Sequence, residues 1–150
     1  MREPADEPTN AYWVWGTRAQ RPRLLHAMIR VRDLDASLRF YVEGLGMRVL
    51  DRYDIQAGRF SILFLSFTGY DEGPAIELTH NWDQAEAYTH GSGYGHVAIG
   101  VPDIEETYAR LAAFGGRQTK PPRPQLPGAP PLAFVEDPDG YAIELIQTRR

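Results

Sequence analysis

The sequence predicts an α+β fold of two βαβββ modules forming a curved mixed sheet, and three observations point there. His26, Ile29, Val31, Asp33 and Gly46 recur 70 residues later as His96, Ile99, Val101, Asp103 and Gly116. Ala75-Ile76-Glu77-Leu78 recurs 67 residues later as Ala142-Ile143-Glu144-Leu145. In both halves the apolar pattern passes from strand period to helix period and back to short strands, in the same order. Each half therefore carries one His near its start and one Glu near its end.

The elements follow in order. Residues 1–22 read as an N-terminal arm, with Trp13-Val14-Trp15 expected to pack on the same chain or a partner subunit, since an exposed apolar cluster is unfavourable. Residues 23–150 read as one domain whose modules span about 23–82 and 93–148. A strand is expected over 24–31. Asp33 then caps a helix over 35–42, where Leu38, Tyr41 and Val42 recur at helical spacing before Gly44 or Gly46 ends it. Strands over 48–54, 59–67 and 75–81 are rich in β-branched and aromatic residues. The second half repeats this with a strand over 95–101 and a helix over about 104–114 that stops at Gly115-Gly116. Strands over 117–120, 132–136 and 141–147 complete it, the last two joined by the turn Asp137-Pro138-Asp139-Gly140. Residues 119–131 hold six prolines and read as a loop. His80 and His90 read as surface or loop residues, and Phe60, Ile62, Phe64 and Phe67 as core, some of them lining a pocket.

Strand alternation places the candidate ligands. His26 shares a face with Met28 and Arg30, while Leu25, Ala27, Ile29 and Val31 face a helix–sheet core. Glu77 goes with Thr79 and Asn81, His96 with Ala98 and Gly100, and Glu144 with Ala142 and Ile146. All four candidates thus point to the concave side. Two carboxylates facing one concavity repel unless a cation neutralises them. Two imidazoles and two carboxylates suit a borderline divalent ion with positions left open for water or substrate. A structural zinc site more usually contains Cys. Such a site suits proton transfer beside a carbonyl, with a carboxylate as the base.

Composition excludes other classes. At 150 residues, with 43% hydrophobic and 24% charged residues, the chain reads as a globular domain with a real core. The absence of Cys removes disulfides, a thiolate nucleophile and Cys-based zinc sites. A net charge of −4 without a basic stripe argues against nucleic acid. No apolar stretch approaches a membrane span, and the N-terminus has no secretory h-region, so a cytoplasmic protein with no membrane partner is expected.

The chain resembles glyoxalase I, of the vicinal oxygen chelate superfamily (the glyoxalase/bleomycin-resistance/dioxygenase fold), over roughly residues 24–147. The resemblance rests on Leu25-His26-Ala27-Met28-Ile29-Arg30-Val31-Arg32-Asp33-Leu34, Ser37-Leu38-Arg39-Phe40-Tyr41, Leu45-Gly46-Met47 and Ile76-Glu77-Leu78-Thr79-His80-Asn81-Trp82. Tyr94-Gly95-His96-Val97-Ala98-Ile99 and the run from Ala133 through Asp137-Pro138-Asp139-Gly140 to Ile146 extend it. It implies His26, Glu77, His96 and Glu144 as metal ligands, Glu144 as principal base with Glu77 the other candidate for proton traffic, and Arg30 and Asn81 as contacts to glutathione. The implied reaction isomerises the methylglyoxal–glutathione hemithioacetal to S-D-lactoylglutathione through an enediolate that the metal stabilises. Arg30 has Gly100 as its counterpart, an asymmetry suited to an asymmetric substrate, and an Arg fork pairs well with a carboxylate.

The short segment before Glu77 favours Ni²⁺ or Co²⁺ over Zn²⁺ by the same resemblance, which also implies a homodimer with sites at the subunit interface. The Pro-rich segment departs from the family pattern. Lys120 and Arg123 there are placed to meet a substrate carboxylate. Competing readings are an epimerase or thiol-transferring lyase of the same superfamily, an extradiol dioxygenase, and a bleomycin-type binding protein without metal chemistry.

Overall fold

A computed structural model describes residues 22–70 and 72–148. The order is β1 (His26–Arg30), α1 (Leu34–Leu38), a π-helical segment (Arg39–Gly44), β2 (Arg48–Ile55), β3 (Phe60–Ser66) and β4 (Ala75–Asn81). The second module supplies β5 (Val97–Val101), α2 (Ile104–Ala113), β6 (Arg117–Pro124), β7 (Pro131–Glu136) and β8 (Ala142–Gln147). Both βαβββ modules are therefore present. Their strands hydrogen-bond as two four-stranded sheets, ordered β1-β4-β3-β2 and β5-β8-β7-β6. In each sheet one parallel pair, β1 with β4 or β5 with β8, makes the sheet mixed. The residues pack as two units, one containing Gly46–Ala87 and the described residues through Arg32, the other Asp33–Leu45 and the residues from Tyr88 onward. The N-terminal arm, with Trp13 and Trp15, lies outside the described residues. Among those described, no helix is long and apolar enough to cross a membrane.

In the first unit, Ile29, Leu63, Leu65 and Leu78 share one buried face, each contributing about 2 kcal/mol by leaving water. Tyr53, Phe64 and Ala75 form a second cluster on the face that carries Glu77, joined by Ile62 and Tyr70. Leu25 also packs there rather than toward the helix side, because the strand pleat begins only at His26. Ala27 is exposed on the outermost strand, and Phe67 is exposed just past the end of β3.

In the second unit both helices start as the repeat requires: Asp33 accepts from the Ala36 amide and Asp103 from the Glu106 amide, each at 3.0 Å. Such caps are worth about 1 kcal/mol. The expected single helix over 35–42 instead opens into the π-helical segment, where the Leu45 amide donates to Phe40 O at 2.9 Å. Packing on α2 holds this wider turn. Gly44 lies so close that a Cβ would stand 2.9 Å from Leu111 Cδ2, and Arg110 Nε donates to Gly44 O at 3.0 Å. Thus the first module's helix belongs, by its contacts, to the second unit.

Residues 119–131 are not all loop, since β6 continues through Pro121 and Pro122 to Pro124, with register shifts on either side of Lys120. Strand β6 lies at the sheet edge, where prolines are tolerated because only one side of the strand is hydrogen-bonded to a neighbour.

Candidate functional site

The strand orders explain why the candidate ligands meet. Glu77 lies on β4 between β1, which carries His26, and β3, which carries Phe64. His26 Nε2 stands 4.0 Å from Glu77 Oε1. In the other unit Glu144 lies on β8 between β5, which follows His96, and β7, and His96 Nε2 is 2.8 Å from Glu144 Oε2. Each unit thus brings one His and one Glu side chain near each other.

A third residue repeats with them. Phe64 is the register partner of Glu77 and meets the His26 ring edge-on, with centroids 5.3 Å apart. Phe134 is the partner of Glu144 and meets His96 edge-on at 5.5 Å. Each half-site is thus an imidazole steadied by a phenyl edge beside a carboxylate. Phe64 and Phe134 stand 70 residues apart, so the repeat holds this signal, although the sequence alone reads Phe64 as core or pocket lining and does not single out Phe134.

The other candidates are distributed unevenly. Arg30 pairs in register with Thr79, one residue pair beyond Glu77 on the same face. The second unit has Gly100 opposite Ile146 in the equivalent place, and a Cβ on Gly100 would meet Thr148 Cγ2 at 2.6 Å. A side chain at that position would therefore require Thr148 to shift. Asn81 ends β4, where its carbonyl accepts from the Gln84 amide at 3.2 Å. Lys120 pairs in register with Phe134, its ammonium 5.2 Å from the ring centroid, which brings it to the half-site of His96 and Glu144. Arg123 is exposed on β6 opposite Leu132.

His80 lies in strand β4 rather than in a loop, half-buried, with its Nδ1 3.3 Å from Val31 O. His90 is half-buried as well, stacked on Tyr141 at 4.1 Å.

Below this half-site, the Asp-Pro-Asp-Gly turn is held by Asp137. It accepts from the Asp139 and Tyr141 amides at 2.9 Å and from the Tyr41 hydroxyl at 2.6 Å. Burial pushes its carboxyl up to about 6, against the opposing pull of those hydrogen bonds. The Tyr41 hydroxyl is raised well above its ordinary value, first by burial and then by Asp137. Tyr94 is raised too, chiefly by burial.

The donor set suits a divalent ion: each unit offers one imidazole nitrogen and one carboxylate oxygen. Donors bound at about 2.1 Å lie about 3 Å apart when adjacent on an octahedral ion, near the spacing of His96 and Glu144. The His26–Glu77 pair is more open. Among the described residues no group of three or more His, Cys, Asp or Glu side chains is placed to hold an ion.

Residues 23–145 match the family described as the Glyoxalase/Bleomycin resistance protein/Dioxygenase superfamily. A probable lactoylglutathione lyase of Synechocystis is 49% identical over 125 residues, which cover 83% of this chain and 95% of that protein. The crystal structure of glyoxalase I from Zea mays superposes with a TM-score of 0.79 at 38% identity over 85% of this chain. The chain spans 45% of the length of that maize protein. A trypanothione-dependent glyoxalase I of Leishmania major gives a TM-score of 0.73 at 39% identity, covering 85% of this chain and 87% of the other.

Proposed function

The chain belongs to the glyoxalase I family of the Glyoxalase/Bleomycin resistance protein/Dioxygenase superfamily, and from that premise we propose that it is a metal-dependent lactoylglutathione lyase. Its reaction converts the hemithioacetal of methylglyoxal and glutathione into S-D-lactoylglutathione. The observation that carries this reading is the duplicated His–Phe–Glu arrangement, formed twice on equivalent strands.

His26, Glu77, His96 and Glu144 would together hold one divalent ion, which would supply Lewis-acid polarisation of the substrate oxygens and so a more acidic neighbouring C–H. Glu144 takes the C1 proton through Oε1, the oxygen turned away from the His96 contact, and returns a proton to C2. The hydroxyl proton passes from the C1 oxygen to the C2 oxygen, so the product is an isomer and no co-reactant is consumed. Phe64 and Phe134 keep water from the carboxylates. Arg30 and Asn81 hold the glutathione part. Lys120 and Arg123 meet a substrate carboxylate from the second unit, a role supported for Lys120 by its place over Phe134.

The β3–β4 connection, residues 67–74, is short, which supports Ni²⁺ or Co²⁺ over Zn²⁺ as the activating ion. We also infer a cytoplasmic homodimer in which the pair from one copy joins the complementary pair of the other. One His beside one Glu in each unit supports that arrangement.

The test strips the protein with a chelator, adds Ni²⁺, Co²⁺, Zn²⁺ or Mn²⁺, and follows hemithioacetal turnover with glutathione and with trypanothione. Turnover is expected to return, most with Ni²⁺ or Co²⁺, and E144Q should keep the fold and the metal while losing most of kcat. No turnover with any ion would move the chain to the epimerase or binding readings.

A further inference from the structure

The two candidate imidazoles enter their half-sites from different backbones. His26 lies inside β1, in register with Ala75, and its side chain is 26% exposed. His96 precedes β5, whose register with β8 begins at Val97, and its side chain is 44% exposed. The chain leading to it, Gly91-Ser92-Gly93-Tyr94-Gly95, holds three glycines. A Cβ on any of them would meet no atom within 4 Å beyond its chain neighbours. Such a segment loses much backbone entropy when it is fixed, so something other than a strand ladder must hold it.

An aromatic cluster does. His90 stacks on Tyr141, with centroids 4.1 Å apart and planes within 11°. Tyr94 meets both rings, 5.7 Å from His90 and 5.3 Å from Tyr141, and its hydroxyl donates to Ala142 O at 3.3 Å. Tyr141 is buried three residues before Glu144, and Tyr94 lies two before His96. The cluster therefore fixes the approach to His96 against the start of the strand that carries Glu144. Among the described residues the buried Nε2 of His90 makes no hydrogen bond, so that end of the ring offers packing and no polar contact. The first unit has neither tyrosine. Leu24 and Pro74 stand at the repeat positions of Tyr94 and Tyr141, and Leu24 is exposed.

We propose that His90 is a positioning residue for His96, closing a clamp with Tyr94 and Tyr141 that sets the imidazole 2.8 Å from Glu144. The proposal rests on the reading of His96 as a metal ligand.

Two variants test it. H90A opens the clamp, whereas H90F keeps a flat ring and removes the unsatisfied nitrogen. Metal-stripped protein is titrated calorimetrically with Ni²⁺ alone, and thermal melts confirm that each variant is folded. H90A should bind Ni²⁺ about tenfold more weakly, and H90F should bind like the wild type. In an H96A background, H90A should cost nothing further, because its effect passes through His96. Wild-type affinity in H90A, an equal loss in H90F, or the full loss repeated in the H96A background overturns the proposal. Hydrogen exchange of the metal-free protein gives a second readout. The amides of residues 91–97 should exchange faster in H90A and at the wild-type rate in H90F. Unchanged exchange in H90A also overturns the clamp. If the wild-type chain bound no Ni²⁺, the metal reading would fail while hydrogen exchange still decided the role of His90.

Discussion

Phe134 touches three kinds of chemistry at once: it meets His96 edge-on, sits opposite Glu144 and carries the Lys120 ammonium over its face. Removing the ring should therefore affect the site more than the fold. F134A is expected to cost about 2 kcal/mol of stability, less than a fully buried Phe, as read from urea midpoints. It should also weaken Ni²⁺ binding about tenfold by freeing the His96 ring. Wild-type Ni²⁺ affinity in a destabilised F134A would reduce the residue to packing. At this scale the repeated His and Glu were legible because ligands leave a strict spacing in the chain. Phe134 was not, because its part in the site depends on lying opposite Glu144 in register. Lys120 became informative once the register put it beside Phe134.

The link between the π-helical segment and the Asp-Pro-Asp-Gly turn shows what an element needs beyond its own propensity. Helix caps, turn residues and strand alternation are local, and the elements they define appeared close to their expected places. The π-helical turn depends on Gly44 meeting Leu111 and Tyr41 reaching Asp137, contacts between residues far apart in sequence. Likewise the extension of β6 depends on its place at a sheet edge, which prolines alone do not reveal. The Tyr41–Asp137 contact also carries a pH signature. Burial raises Asp137 from 3.8 to about 6, so the folded state holds this proton more tightly than the unfolded chain. Its contribution is full below about pH 4 and is lost, up to about 3 kcal/mol, as pH rises through 6. D137N, in which the Tyr41 hydroxyl can turn to accept, should flatten this fall in urea midpoints between pH 4 and 7. An unchanged profile would locate the pH dependence elsewhere.

For the whole molecule, a metal that binds only the folded chain adds to its stability. Ni²⁺ at about a hundred times its Kd should add about 2.7 kcal/mol per site, and a chelator should remove that gain. If two copies share the ligands, the melting midpoint with metal should also rise with protein concentration. A concentration-independent midpoint with metal bound would place all four ligands within one copy. The prolines of β6 have a consequence for the molecule in a crowded solution. Pro121, Pro122 and Pro124 carry no N–H, so the outer edge of the second sheet lacks donors that a neighbouring strand would need. That edge is a poor template for aggregation, and its prolines keep strand addition away from the side of the sheet where Lys120 stands.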